Sequence, residues 1–396
     1  MLDDDMGSVT AENRADKRDD AARRAAVLRA KLRSVTSIRR VRLCAVMKCK
    51  PEIGVYVSGS GDARRACPHG IATCNSVWCC AACSLRIRAR RMAQLTRALR
   101  GGLDARPDLS WQMISVTVRH HERMPLEWLR RGMMRAWRRT RQNGSVARIM
   151  KRRVAGTVRV VEITEGANGW HPHLHIGLLT STWEDDERET LARVWEEACE
   201  RELSTAARPD REHGIRWSKR RLRRGDGGSA LEKYLTDIGL ELSTVSTKTA
   251  RRTSSRTPWQ IAAEAGEGDA AAIKLWREYE QATKGARAIE LDDRAAAFAR
   301  VDAVNPNVGD VDGVLSFEGA KVVGEDFVFA VLHPEMLHHV RAYERIDARA
   351  TALWLEAAAA PGPLTAAAVE QRVDACIRWM IAKTRAAPGR GATVAA

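Results

Sequence analysis

Three stretches of the chain have the pattern of strands, and one of them alternates apolar and polar positions with a period of two. WQMISVTVR (residues 111–119) and TVRVVEIT (157–164) are rich in β-branched residues and bounded by turn formers. In WHPHLHIGLL (170–179), Trp170, Pro172, Leu174, Ile176 and Leu178 fall on one side and His171, His173 and His175 on the other. Each stretch predicts a strand. The last two are separated by a Gly- and Asn-containing segment and so predict a hairpin.

Helical spacing marks other segments. PLEWLRRGMMRAWRRTRQNG (125–144) places Leu126, Leu129, Met133 and Trp137 on one face and arginines on the rest. STWEDDERETLARVWEEACERE (181–202) predicts a helix, and LRIRARRMAQLTRALRGG (85–102) a basic helix ended by Gly101 and Gly102. SALEKYLTDIG (229–239) predicts a short helix with Leu231, Leu235 and Ile238 as its buried stripe. RWSKRRLRRGDGG (216–228) reads as a basic loop. Strands mixed with helices out of strict alternation predict an α+β fold on an antiparallel sheet. Five regions are expected: an N-terminal arm over 1–40, helical or partly disordered; a cysteine module with its basic helix over 41–102; a strand-rich domain over 103–250; a helical extension over 251–300; and a helical, Ala-rich C-terminal region over 301–396.

Charge narrows the range of partners. Lys and Arg number 66 against 50 Asp and Glu, a net +16 over 396 residues, which favours a polyanion such as nucleic acid. The start MLDDDMGSVTAENRADKRDD has no apolar leader core and no run is long enough to span a bilayer, so a cytoplasmic protein with no membrane partner is expected.

Seven of the nine cysteines lie between Cys44 and Cys83, a cluster that in a reducing compartment reads as metal binding. In CPHGIATCNSVWCCAAC (67–83), Cys80 and Cys83 form a C-x-x-C knuckle suited to one Zn²⁺, and Cys74 is near enough to join. The fourth ligand comes from Cys67, Cys49, Cys44 or His69, and Cys67 is chosen. Cys79 adjoins Cys80 and is left out.

Alternate residues of a strand share a face, so three imidazoles point together opposite a packed side, and an i, i+2 pair can chelate one divalent ion. An oxygen ligand is also needed. If GANG (166–169) is a four-residue loop, Glu165 pairs with Trp170, Val161 with Leu174 and Glu162 with His173. An odd loop would bury the Glu162 carboxylate on the apolar side at high cost. Glu162 is therefore the expected ligand and Glu165 the reserve.

TCNSVWCCAAC, ISVTVRHHERMPL, VRVVEITEGANGWHPHLHIGLL and LEKYLTDIG together resemble the motifs of the HUH endonucleases, and among them the rolling-circle replication initiators of actinobacterial plasmids. Weaker likeness continues through RTPWQIAAEAGEGD and WREYEQATKGARAIE, so the resemblance covers about residues 41–298. It implies an antiparallel sheet with the histidine strand at its centre and helices on one side. It also implies that His173, His175 and Glu162 hold Mg²⁺ or Mn²⁺, and that Tyr234 is the nucleophile that nicks and rejoins one DNA strand through a 5′-phosphotyrosine. The family's lysine three residues after that tyrosine is Asp237 here, and Cys79 is a second departure. Arg138, Arg139, Lys219, Arg220 and Arg221 lie in the positive segments expected to hold the phosphates of a single-stranded or hairpin origin. No G-x-x-x-x-G-K-[ST] loop is present, so unwinding is expected to need a host helicase and synthesis a host polymerase. Other readings are a relaxase or transposase of the same chemistry, a histidine-triad nucleotide hydrolase, and a non-enzymatic zinc-dependent DNA-binding protein.

Overall fold

A computed structural model describes residues 20–59, 64–239, 255–301 and 327–387. The first half of the expected arm, residues 1–19, lies outside them, as does most of 301–326. The described chain is mixed α and β with antiparallel sheets. It divides into two compact units, residues 1–86 with 312–396, and residues 87–311.

The first unit starts with helix α1 (20–31) and the short α2 (Arg39–Arg42). Its sheet has β1 (Ile53–Ser58) in the middle, between β2 (Arg65–His69) and a strand from far along the chain, Phe327–Leu332. Ile53, Val55 and Val57 of β1 are buried. This corrects two expectations. The C-terminal region is not wholly helical, and it is not separate from the cysteine module. The apolar run FVFAVL pairs with β1 from Ile53↔Leu332 to Ser58↔Phe327, a contact between segments more than 260 residues apart that no local pattern encodes. Three helices follow it, Met336–Glu344, Ala350–Ala359 and Ala366–Ala386, and bury Val340, Trp354, Val369, Val373 and Met380.

Helix α3 (Ala81–Ala105) runs through the division. It does not end at Gly101 and Gly102 as expected. A Cβ on Gly101 would sit 2.5 Å from the Phe298 carbonyl oxygen, and one on Gly102 3.0 Å from the Leu179 side chain. The two glycines serve close approach of other elements, so the helix continues through them.

The second unit is built on a six-stranded sheet. Its strands are β3 (Ser110–Thr117), β4 (Val154–Gly166), β5 (Gly169–Thr180), β6 (Ile215–Leu222), β7 (Ser255–Arg256) and β8 (Ile289–Leu291). The order is β6-β3-β5-β4-β7 with β8 also on β4, every pair is antiparallel, and the histidine strand β5 is central. The hairpin register is Val161↔Leu174, Glu162↔His173 and Glu165↔Trp170, as the four-residue loop required. Gly166 and Gly169 also pair, leaving Ala167 and Asn168 as the turn. Gly169 has φ +78°, and a Cβ there would lie 2.7 Å from Glu122 Cα, so only glycine fits without strain.

The basic segment expected as a loop is instead strand β6. Five of its eight residues are polar or charged, so no hydrophobic alternation announces it, but an edge strand is where exposed Lys and Arg are tolerated. Helices α4 (Leu126–Gln142) and α6 (Asp185–Glu202) follow the expected apolar spacing, with Leu126, Leu129, Met133 and Trp137 of α4 buried, and a helix not expected from the sequence, α5 (Gly144–Arg153), follows α4. The Trp195 indole of α6 donates to the Thr117 carbonyl (3.0 Å). Helices α7 (Gly228–Gly239), α8 (Pro258–Gly266), α9 (Ala270–Thr283) and α10 (Asp293–Val301) complete the unit. No helix among the described residues is long and apolar enough to cross a membrane.

Candidate metal centres and their surroundings

Cross-strand partners point to one side of a sheet, so the register fixes what shares the histidine face. His171 lies beside Thr164, His173 between Glu162 and Thr117, and His175 between Val160 and Ser115. Leu174, Ile176 and Leu178, on the opposite face, are buried. The Nε2 atoms of His173 and His175 and a carboxylate oxygen of Glu162 lie within 4.8 Å of one another. Glu162 Oε2 is 2.8 Å from His175 Nε2 and also touches His173 Nε2. Two imidazole nitrogens and one carboxylate oxygen aimed at one point, with the carboxylate only 8% exposed, suit a divalent ion. Glu165, the reserve ligand, is instead gripped by the Arg256 guanidinium at 3.0 and 2.8 Å.

A second layer orients the donors. Ser115 Oγ is 2.9 Å from His175 Nδ1, which leaves Nε2 as the ring nitrogen facing Glu162. Ser115→Ala is expected to weaken Mn²⁺ binding by about 10–100-fold, read by calorimetric titration. An unchanged affinity would show that the hydroxyl does not hold the ring. His171 lies against His120, with ring centroids 4.5 Å apart and the planes tilted by 45°. Burial, then the neighbouring His173 and His120, pull the His171 pKa down to about 3. The unfolded chain therefore takes up a proton on this ring that the folded chain refuses. The resulting loss of stability is absent above the ordinary pKa of about 6.5 and grows as pH falls from there toward 3. Thermal melts of metal-free protein across that window should show a steeper acid decline than those of His171→Gln.

Tyr234 lies on α7, which packs against β5 and β6, and is 1% exposed. Leu231 is buried and Leu235 half-buried, while the side chain of Ile238 lies outside the described residues.

The cysteine cluster differs from expectation in one ligand. Cys44, Cys74, Cys80 and Cys83 are the four that converge, all buried. Their sulfurs lie 3.6 Å (Cys44–Cys83), 3.6 Å (Cys74–Cys83) and 3.8 Å (Cys80–Cys44) apart. A tetrahedron with Zn–S bonds of about 2.3 Å has sulfur–sulfur edges of about 3.8 Å, so the cluster is compatible with one zinc ion. Hydrogen bonds from Cys74, Cys80 and Cys83 hold the Cys44 thiol well below its ordinary pKa, as a ligand thiolate requires. Cys44 arrives because residues 45–49 run beside 70–72, with Ala45 N bonded to Ala72 O and Cys49 N to Gly70 O, both at 2.8 Å.

Cys67, the expected fourth ligand, sits on β2 opposite Tyr56, on the face filled by Tyr56, His69 and Phe329. The period-two alternation of β2 thus sends both Cys67 and His69 into an aromatic cluster, and Cys49 is exposed. Spacing in the sequence could not favour Cys44, which lies 30 residues before Cys74.

The expected phosphate contacts divide between surfaces. Arg138 and Arg139 are exposed on α4, with Arg139 3.0 Å from Glu202. Lys219 and Arg220 are exposed on β6. Arg221 pairs with Gln112, on the face opposite the histidines, where burial lowers its pKa. Trp217 pairs with Ile114 on that same face, under the Arg188 guanidinium at 5.1 Å. Arg216, exposed and opposite Ser115, is a β6 arginine on the histidine face.

Over 340 residues the chain is 25% identical to the protein named "Protein rep" from Streptomyces lividans, a match that covers 67% of this chain and 72% of that protein. No family model matches the chain. No solved structure matches it either.

Proposed function

We propose that this protein is a plasmid rolling-circle replication initiator of the HUH type, an endonuclease and strand transferase that nicks and rejoins single-stranded DNA at an origin. The observation that carries this reading is the convergence of His173, His175 and Glu162 on the central hairpin, with the helix of Tyr234 against the same strand. The similarity to a protein named rep supports it.

His173, His175 and Glu162 would hold Mg²⁺ or Mn²⁺, which when bound supplies a positive charge against the scissile phosphate. Ser115 keeps His175 in the ligating tautomer. The Tyr234 oxygen attacks phosphorus, the bond from phosphorus to the 3′ oxygen breaks, and the phenol proton leaves while the departing oxygen gains one. The products are a 5′-phosphotyrosine and a free 3′-OH, and attack by a 3′-OH on the phosphotyrosine reverses the step without ATP. A phenol with an ordinary pKa of about 10 needs such a charged neighbourhood to react at neutral pH. Because Tyr234 is 1% exposed, the DNA has to part the side chains that cover it.

The zinc ion of the Cys44, Cys74, Cys80 and Cys83 cluster would be structural. Exposed Arg138, Arg139, Lys219 and Arg220 would contact phosphates, making affinity fall steeply with salt. A host helicase and polymerase would complete replication.

The test is mass spectrometry of protein incubated with Mn²⁺ and a pool of single-stranded oligonucleotides tiling the plasmid that carries the gene. A nucleotide adduct on the peptide containing Tyr234 is the expected result. Nucleotide hydrolysis with no adduct would favour the histidine-triad alternative, and an adduct on Tyr279 would reassign the nucleophile.

A further inference from the structure

Helix α3 carries six arginines among apolar positions, and one of them does not behave like the others. Arg88, Leu95, Leu99 and Gly102 are all buried and fall on one helical face, at spacings of seven, four and three residues. Two of the four, Leu99 and Gly102, touch the sheet, and Leu95 is fully buried one turn before Leu99. The Trp111 indole donates to the Leu99 carbonyl at 3.0 Å, and a Cβ on Gly102 would lie 3.0 Å from Leu179 and 3.2 Å from Trp111. Trp111 and Leu179 are cross-strand partners on the histidine side of the sheet.

The fourth member then has a definite address. From Gly102 back to Arg88 is fourteen residues, about 21 Å of helix at about 1.5 Å each. From Leu179 back to His173 is six residues, about 20 Å of strand at about 3.3 Å each. A helix running along β5 from that contact reaches the level of His173 and Glu162 at Arg88. The electrostatics agree, since Arg88 lies within the influence of Glu162 and of Tyr279.

Arg88 is only 5% exposed. Burial draws its pKa down to about 10, which still leaves it cationic at neutral pH. Its buried Nε has no hydrogen-bond partner. A buried cationic N–H without an acceptor is costly, and an anionic ligand that supplies one would offset that cost. The planar guanidinium matches two oxygens of a phosphate.

We infer that Arg88 is a substrate-binding residue whose guanidinium takes the non-bridging oxygens of the phosphodiester beside Glu162, His173 and His175. The assignment rests on the nuclease reading and names the group that orients its phosphate. It would make the first phosphate contact one that sequence places in the basic helix after the cysteine knuckle rather than in β6.

The test uses inorganic phosphate as probe and the full chain loaded with Mn²⁺, with affinity read from paramagnetic broadening of the phosphate ³¹P line. Wild type should broaden the line saturably, and R88M should bind phosphate at least tenfold more weakly while its Mn²⁺ affinity holds or rises. R91M, at an exposed position of the same helix, should match wild type. Should R88M fail to fold, R88Q is expected to show the same loss. Phosphate affinity within twofold of wild type in the folded variant, or no saturable broadening by wild type, would overturn the assignment and leave Arg88 as a counter-charge for Glu162. Phosphate affinity is measured without cleavage, so a lost adduct with an intact Arg88 effect would remove the nuclease reading alone.

Discussion

Tyr234→Phe is expected to abolish the covalent protein–DNA adduct and to lower strand cleavage by on the order of 10⁴-fold or more, the scale seen when a nucleophile is removed. At about 1.36 kcal/mol per factor of ten, that is more than about 5 kcal/mol of barrier. The substitution separates chemistry from folding. The ring is enclosed, at 1% exposure, and phenylalanine keeps that packing on α7 against β5 and β6. Only the hydroxyl is lost, which costs stability on the order of 1 kcal/mol. Binding of single-stranded DNA should be nearly unchanged, because the phosphate contacts proposed above lie on arginines elsewhere. Denaturing gels with a labelled oligonucleotide give the adduct, and fluorescence anisotropy gives the affinity. An undiminished adduct in Tyr234→Phe would end the assignment and direct attention to Tyr279, the buried tyrosine that shares the surroundings of Arg88.

Cys44→Ser should release zinc, whereas Cys67→Ser should retain it. The difference follows from where the two sulfurs lie: Cys44 is 3.6 Å from Cys83 and 3.8 Å from Cys80, while Cys67 faces an aromatic cluster on β2. Loss of an outer-shell partner already weakens metal sites by about 10–100-fold, and loss of a thiolate ligand should exceed that. Structural zinc contributes about 10–16 kcal/mol of apparent binding free energy at neutral pH, so even partial loss should lower the melting temperature of the first unit clearly. Zinc per chain after dialysis against a chelator, followed by thermal melts, decides the matter. If both variants keep one zinc, or Cys67→Ser loses it, the four-thiol geometry does not describe the bound state.

Periodicity read locally was enough for much of this protein. Alternation in 170–179 and the parity of the preceding loop determined the hairpin register, because a shift by one residue would have put Glu162 among Leu174 and Ile176. The apolar stripe of α4 and the C-x-x-C knuckle were legible for the same reason: each is a contact between near neighbours in the chain. Tertiary structure alone decided the rest. β6 is a strand because β3 offers it an edge, not because RWSKRRL has a strand's pattern. The strand 327–332 joins β1 across most of the chain length. Cys44 replaces Cys67 because the alternation of β2 turns one sulfur away while backbone pairing of 45–49 with 70–72 delivers the other. Arg88 is buried, which a helix rich in exposed arginines does not reveal by itself. Side-chain periods specify faces, and only the folded chain specifies what each face meets.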